Sequence, residues 1–168
     1  MRAYPHRPQH RGMTETFQLS AEAAEAYEAQ FVPSFFAQWA PRLLDAAGVA
    51  AGQDVLDVAC GTGIVARGAA ERVGPDGSVT GVDRSEEMLA VARRVRPDLR
   101  WRHGDAAALP FGDREFDAVV CQMAMMFFPD PVARCARCAG WPARRARSGS
   151  WSRERCPRTD RTSCSSTW

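Results

Sequence analysis

Residues 55–63, Val-Leu-Asp-Val-Ala-Cys-Gly-Thr-Gly, leave few architectures open to this chain. An apolar strand carries a carboxylate near its end and runs directly into a turn with two glycines. A second apolar run, Val79-Thr80-Gly81-Val82, ends on Asp83, 26 residues after Asp57. Strand, glycine turn, helix and a second acid-tipped strand are the layout of a nucleoside-binding βαβ unit. Gly61 and Gly63 permit a tight turn and close approach of a ligand to the backbone. Asp83, at the carboxyl end of its strand, suits the paired hydroxyls of a ribose.

The surrounding pattern extends that unit. A helix is predicted over 20–30, with Ser20 as its N-cap. Phe31, Phe35, Phe36, Trp39 and Leu43 recur at near-helical spacing, and Pro33 and Pro41 mark the starts of helical segments. Phe31, Phe35 and Trp39 read either as a lid over a site or as the core face of a helix. Strands are predicted over 54–59, 78–83, 99–104 and 116–122. Helices are predicted over 64–73 and over 85–95, the latter capped by Ser85 with Glu86 and Glu87 in its first turn. A short helical turn is expected over 106–108. Strands alternating with helical patterns predict an α/β fold, a Rossmann-like doubly wound parallel sheet. The pattern stops near Val132.

A length of 168 residues fits one domain. Charge divides the chain unevenly. Residues 1–133 hold 13 Arg against 18 acidic residues, and 134–168 hold 9 Arg against 2. All 22 basic residues are Arg, a mark of GC-rich coding sequence more than of a binding surface. No apolar run approaches the roughly 20 residues of a membrane span. The basic N-terminus lacks the apolar stretch of a signal peptide, so the expected location is cytoplasmic. Residues 1–16 read as a disordered N-terminus, with Met13 an alternative start.

Gly61-x-Gly63-x-x-Ala66 formally fits a dinucleotide fingerprint, which brings in an NAD(P)-dependent oxidoreductase as the alternative. Electrostatics opposes it. A dinucleotide lays its pyrophosphate over this turn and the following helix N-terminus. Asp57, four residues before Gly61, sets a carboxylate near that dianion. S-adenosylmethionine carries a sulfonium, an ammonium and no phosphate, and the same carboxylate suits it.

VLDVACGTG, GVDRSEEML and GDAAALPFGDREFDAVVC, in that order and spacing, resemble successive motifs of the class I S-adenosylmethionine-dependent methyltransferases. The branch most resembled holds the ubiquinone and menaquinone C-methyltransferases. The similarity covers 21–132, within a partial domain spanning 17–133. It implies that Asp57, Ala59, Gly61 and Gly63 cradle the methionine end of the cofactor and that Asp83 binds the ribose hydroxyls. It implies that Arg84 and Met88 flank the adenine, and that Asp105 and the backbone of Ala106 meet its amino group. Cys121 to Met123 would border the sulfonium and a small acceptor, apolar or quinone-like. Methyl transfer is an in-line displacement at an activated carbon, so positioning and desolvation suffice in principle, and no base is named. The family fold has seven strands, of which this chain would supply four.

Several features read more plainly. His103 is expected to be structural. Met123, Met125, Met126, Phe127 and Phe128 suit either an adaptable acceptor pocket or ordinary packing. Cys135-x-x-Cys138 lacks a second ligand pair, so no metal site is predicted. Residues 134–168 form a basic tail with no sustained period; a remnant with a nucleic-acid-binding tail is the non-enzymatic alternative, disfavoured for want of patterned aromatics. Arg134 to Trp141 can be encoded so that a shifted frame reads Leu-Arg-Glu-Met-Arg-Arg-Val, the helix expected after a fourth strand. The tail is therefore expected to be out of frame, leaving the C-terminal half of the fold incomplete.

Overall fold

The computed structural model describes residues 19–106, 108–112, 115–124 and 126. Its centre is a parallel sheet of β1 (Asp54–Val58), β2 (Ser78–Asp83), β3 (Arg100–His103) and β4 (Ala118–Val120), in the order β3-β2-β1-β4. The chain moves outward from β1 through β2 to β3, then returns to place β4 on the other flank of β1. That reversal puts a crevice at the carboxyl ends of β1 and β4, where open α/β sheets bind ligands. Asp57 pairs in register with Gly81 on one side and Val120 on the other.

The alternation of side chains along β1 divides the core. Val55 and Val79 meet α2 (Ala40–Ala46) and α3 (Ile64–Val73) through Leu44, Val65, Ala66 and Ala69. Leu56, Val58 and Val82 point the other way, onto Phe116, Leu109 and Phe111. Strands buried on both faces read as continuous apolar runs, as β1 and β2 do. A third cluster joins α1 (Ala21–Ala26) to α4 (Glu86–Val95) through Ala24, Met88 and Val91. Ser20 and Ser85 cap these two helices, accepting from the amides of Ala23 and Met88 at 3.2 Å each.

The predicted helices 64–73 and 85–95 and strand 78–83 form at those positions. The other strands are shorter than predicted, because Ala59 turns left-handed and β3 is bonded only alongside Thr80 to Asp83. The N-terminal helix differs more. α1 ends at Ala26, and Tyr27–Phe36 continues as a π-helix with Pro33 inside it, not at its start. An α-helix would press the proline ring onto the carbonyl four residues back; a wider helix relieves that clash. Phe31 and Phe35 are 58% and 49% exposed, which removes the reading of them as a core face.

No helix among the described residues is long and apolar enough to cross a membrane. The N-terminus 1–16, Phe127 and Phe128, the Cys135–Cys138 pair and the basic tail 134–168 lie outside the described residues.

Candidate functional site

Three left-handed residues carry the chain from β1 into α3: Ala59 at φ 56°, Gly61 at 55° and Gly63 at 90°. Glycine takes such angles freely, whereas alanine is strained there. The turn is retied at each step. The Cys60 amide donates to the Val82 carbonyl at 3.0 Å, the Gly63 amide to the Cys60 carbonyl at 2.9 Å, and the Gly61 amide to Asp83 Oδ2 at 2.7 Å. Asp83 Oδ1 accepts from the Ser85 amide at 2.9 Å, so this one carboxylate joins the glycine turn to the cap of α4.

Trp101 of β3 supports the turn from beneath. A methyl added at Gly63 would lie 2.3 Å from its Cη2, and one at Gly81 would lie 2.5 Å from its Cζ3. The two glycines make a notch that the indole fills, and its N–H donates to the Arg96 carbonyl at 2.8 Å. Nothing in the spacing of Trp101 announces this role.

Asp57 is 1% exposed, and its Oδ2 accepts from the Ala66 amide at 3.0 Å in the first turn of α3. Burial pushes its carboxyl up to about 8; the Ala66 amide opposes that rise and the charge of Asp83 adds to it. The same burial, with Asp57 and Asp83, raises the Cys60 thiol. These two acids occupy amides that a pyrophosphate would need, at the helix N-terminus and in the glycine turn. A cation brought against Asp57 would favour its ionised form.

A small cavity of about 30 Å³ lies between Asp57, Ala59, Cys60, Gly61, Ile64 and Gln122. Tyr27 and Phe36 roof it, with ring centroids 5.1 Å apart. Tyr27 Oη comes within 4.0 Å of the place a Gly61 methyl would take. Burial pushes the Tyr27 hydroxyl up to about 12, helped by the charges of Asp83, Glu28 and Asp57. Gln122 Nε2 donates to the Phe36 carbonyl at 3.1 Å, while its Oε1 is buried with no partner among the described residues.

The structure thus gathers Asp57, Ala59, Gly61, Gly63 and Asp83 at one sheet edge. Arg84 is exposed beside them, and its carbonyl meets His103 Nε2 at 3.0 Å, a structural contact as expected. Met88 is 7% exposed and packs with Ala24 and Val91, under α1. Asp105 is exposed, whereas Ala106 and Cys121 pack against the cluster of Leu56, Val58, Val82 and Phe116. Tyr27, Phe36 and Trp101 are the site residues that motif spacing missed. The one available signal was the aromatic run after a helix rich in Ala and Glu. Among the described residues no group of three His, Cys, Asp or Glu could hold a metal.

The sheet order, the glycine turn and the paired acids define a class I methyltransferase fold. Solved structures agree: a SAM-dependent methyltransferase from Aquifex aeolicus superposes with a TM-score of 0.60 at 18% identity, covering 76% of this chain and 69% of that one. The methyltransferase domain family matches residues 55–140, about half the chain, and the chain belongs to that family. The match runs seven residues past the boundary expected at 133. Among curated relatives, nocamycin O-methyltransferase of Saccharothrix syringae is 42% identical over 121 residues, covering 69% of this chain and 43% of that protein. Demethylmenaquinone methyltransferase of Staphylococcus aureus is 40% identical over 95 residues, covering 55% and 39%. The chain therefore spans less than half the length of these relatives.

Proposed function

We propose that this chain binds S-adenosylmethionine at the carboxyl edge of β1 and β2 and serves methyl transfer to a small acceptor. The observation that carries the reading is Asp57, a buried carboxylate bonded to the N-terminus of α3 in the pocket where the glycine turn closes. A cationic, phosphate-free ligand end suits that carboxylate, and a pyrophosphate does not. When bound, the cofactor supplies a methyl group already activated by its sulfonium.

The chain's residues then have distinct tasks. Asp57 neutralises the ammonium, and the left-handed turn Ala59 to Gly63 lets the ligand approach the backbone. Asp83 has spare lone pairs for ribose hydroxyls while it holds the turn. Arg84 and Met88 stand on the adenine side, with Asp105 and Ala106 beyond them. Cys121 and Gln122, just past β4, face the reacting end, and Tyr27 and Phe36 exclude water above it. Displacement at an activated carbon asks chiefly for alignment and a dry pocket.

An acceptor that is small and apolar or quinone-like fits the relatives, whose names specify nocamycin and demethylmenaquinone. The tail 134–168 is read as out-of-frame translation, and the coding DNA tests that: codons that forbid the shifted Leu-Arg-Glu-Met-Arg-Arg-Val end the idea. The cofactor is tested by calorimetry of the full chain against S-adenosylhomocysteine and against NAD. Binding of the first alone is the expected result, and binding of NAD alone reverses the proposal.

A further inference from the structure

One side chain joins the glycine turn to the aromatic roof. Arg67, in the first turn of α3, donates through Nη1 to the Thr62 carbonyl at 2.9 Å, inside the turn. Its Nη2 donates to Glu28 Oε1 at 2.8 Å, 39 residues upstream and next to Tyr27. Both side chains are largely buried, 14% and 19% exposed, and Glu28 Oε2 has no partner among the described residues. The far end of the roof is pinned separately, by Gln122 on the Phe36 carbonyl.

A cavity of about 30 Å³ has room for little more than a water molecule, whereas small-molecule sites run to roughly 300 Å³ and above. A ligand end larger than that seated against Asp57 requires the roof to lift and settle again on it. A buried ion pair with one oxygen unsatisfied is a poor way to gain stability, since apolar packing often does as well. Its geometry suits coupling instead. The planar guanidinium holds the roof through one nitrogen and the turn through another, so seating the first orders the second. A lysine ammonium would keep the charge and lose the fork.

We propose that Arg67 and Glu28 are positioning residues for the cofactor: they lock Tyr27 and the roof onto the glycine turn, so that ligand capture and roof closure are one event. This rests on the S-adenosylmethionine reading of the pocket. Neither residue lines the cavity; both act through Thr62 and Tyr27.

The full chain is titrated with S-adenosylhomocysteine by calorimetry, as wild type, Arg67→Lys and Glu28→Gln, and amide exchange is followed over 27–36 and 60–63 with and without ligand. In the wild type, ligand slows exchange in both segments. In each variant, affinity falls about tenfold, the loss of one charge-assisted hydrogen bond, and protection persists at 60–63 but disappears at 27–36. A purely structural role would weaken both segments together. Variants that bind within about twofold of wild type and keep joint protection overturn the proposal. If Arg67→Lys shows no melting transition, Glu28→Gln carries the same comparison. A wild type that gives no binding heat overturns the reading of the pocket, a different failure.

Discussion

The glycine turn and the aromatic roof enclose one cavity but are held there by opposite means. In the turn, backbone amides of Cys60, Gly61 and Gly63 are bonded to carbonyls or to Asp83, and Trp101 fills the space beneath. In the roof, Phe31 and Phe35 face solvent, and among the described residues the hydrogen bonds that tie it to the pocket are two side-chain ones, Glu28 with Arg67 and Gln122 to the Phe36 carbonyl. A region held by its own backbone resists opening; one held by a few side-chain bonds opens at a fraction of the global stability. The division suits a site with a fixed floor and a movable cover.

The comparison breaks most easily at the floor. Gly63→Ala puts a methyl against Trp101 at a residue with φ 90°, and should cost about 3 kcal/mol or more in denaturant unfolding. A variant as stable as wild type would show that the floor is not rigid. Asp57→Asn should weaken S-adenosylhomocysteine binding roughly tenfold to a hundredfold at pH 8, by loss of a buried charge partner. The pH dependence sharpens the point. With its carboxyl at about 8, empty Asp57 is neutral at pH 6, and a cationic ligand must first drive off that proton. Affinity should climb by up to about tenfold per pH unit between pH 6 and 8, then level, and the slope should vanish in the Asn variant.

Stability of the empty protein should move the other way. The folded carboxyl sits at about 8 and the unfolded one near 3.8, so the folded state holds the extra proton between them. Melting temperature should fall as pH rises from 5 to 8 and flatten above, with the Asn variant losing Asp57's share of that slope. The roof predicts a contrast. Phe31→Ser with Phe35→Ser should shift unfolding by no more than about 2 kcal/mol, because each ring is already about half in water. Smallest of all, Arg94→Ala, which removes the exposed pair with Glu25, should change stability by less than about 0.5 kcal/mol.

How legible each part was in the sequence follows the same division. The floor depends on residue types at short range: two glycines that tolerate left-handed angles, an acid at the end of a strand, a serine cap on α4. Those properties belong to the residues wherever the chain goes, and Asp57, Gly61, Gly63 and Asp83 were readable from spacing. The roof depends on partners far apart. Gln122 meets Phe36 across 86 residues and Arg67 meets Glu28 across 39, and no local period records either. Pro33 illustrates the limit, since its position suggested a helix start and the π-helix absorbs it. Met88 does too: its place in the motif was readable, but not its packing with Ala24 and Val91 under α1.

Sequence alone determined the βαβ order, the tight glycine turn and the pair of acids at its mouth. Backbone preference and strand periodicity act over a few residues, so these were readable without a fold. Only the tertiary structure decided that Asp57 is sealed from water, that Trp101 underlies Gly63, and that one arginine spans floor and roof. Burial, packing and paired charge are properties of groups brought together, and their energies exist only once the sheet has assembled.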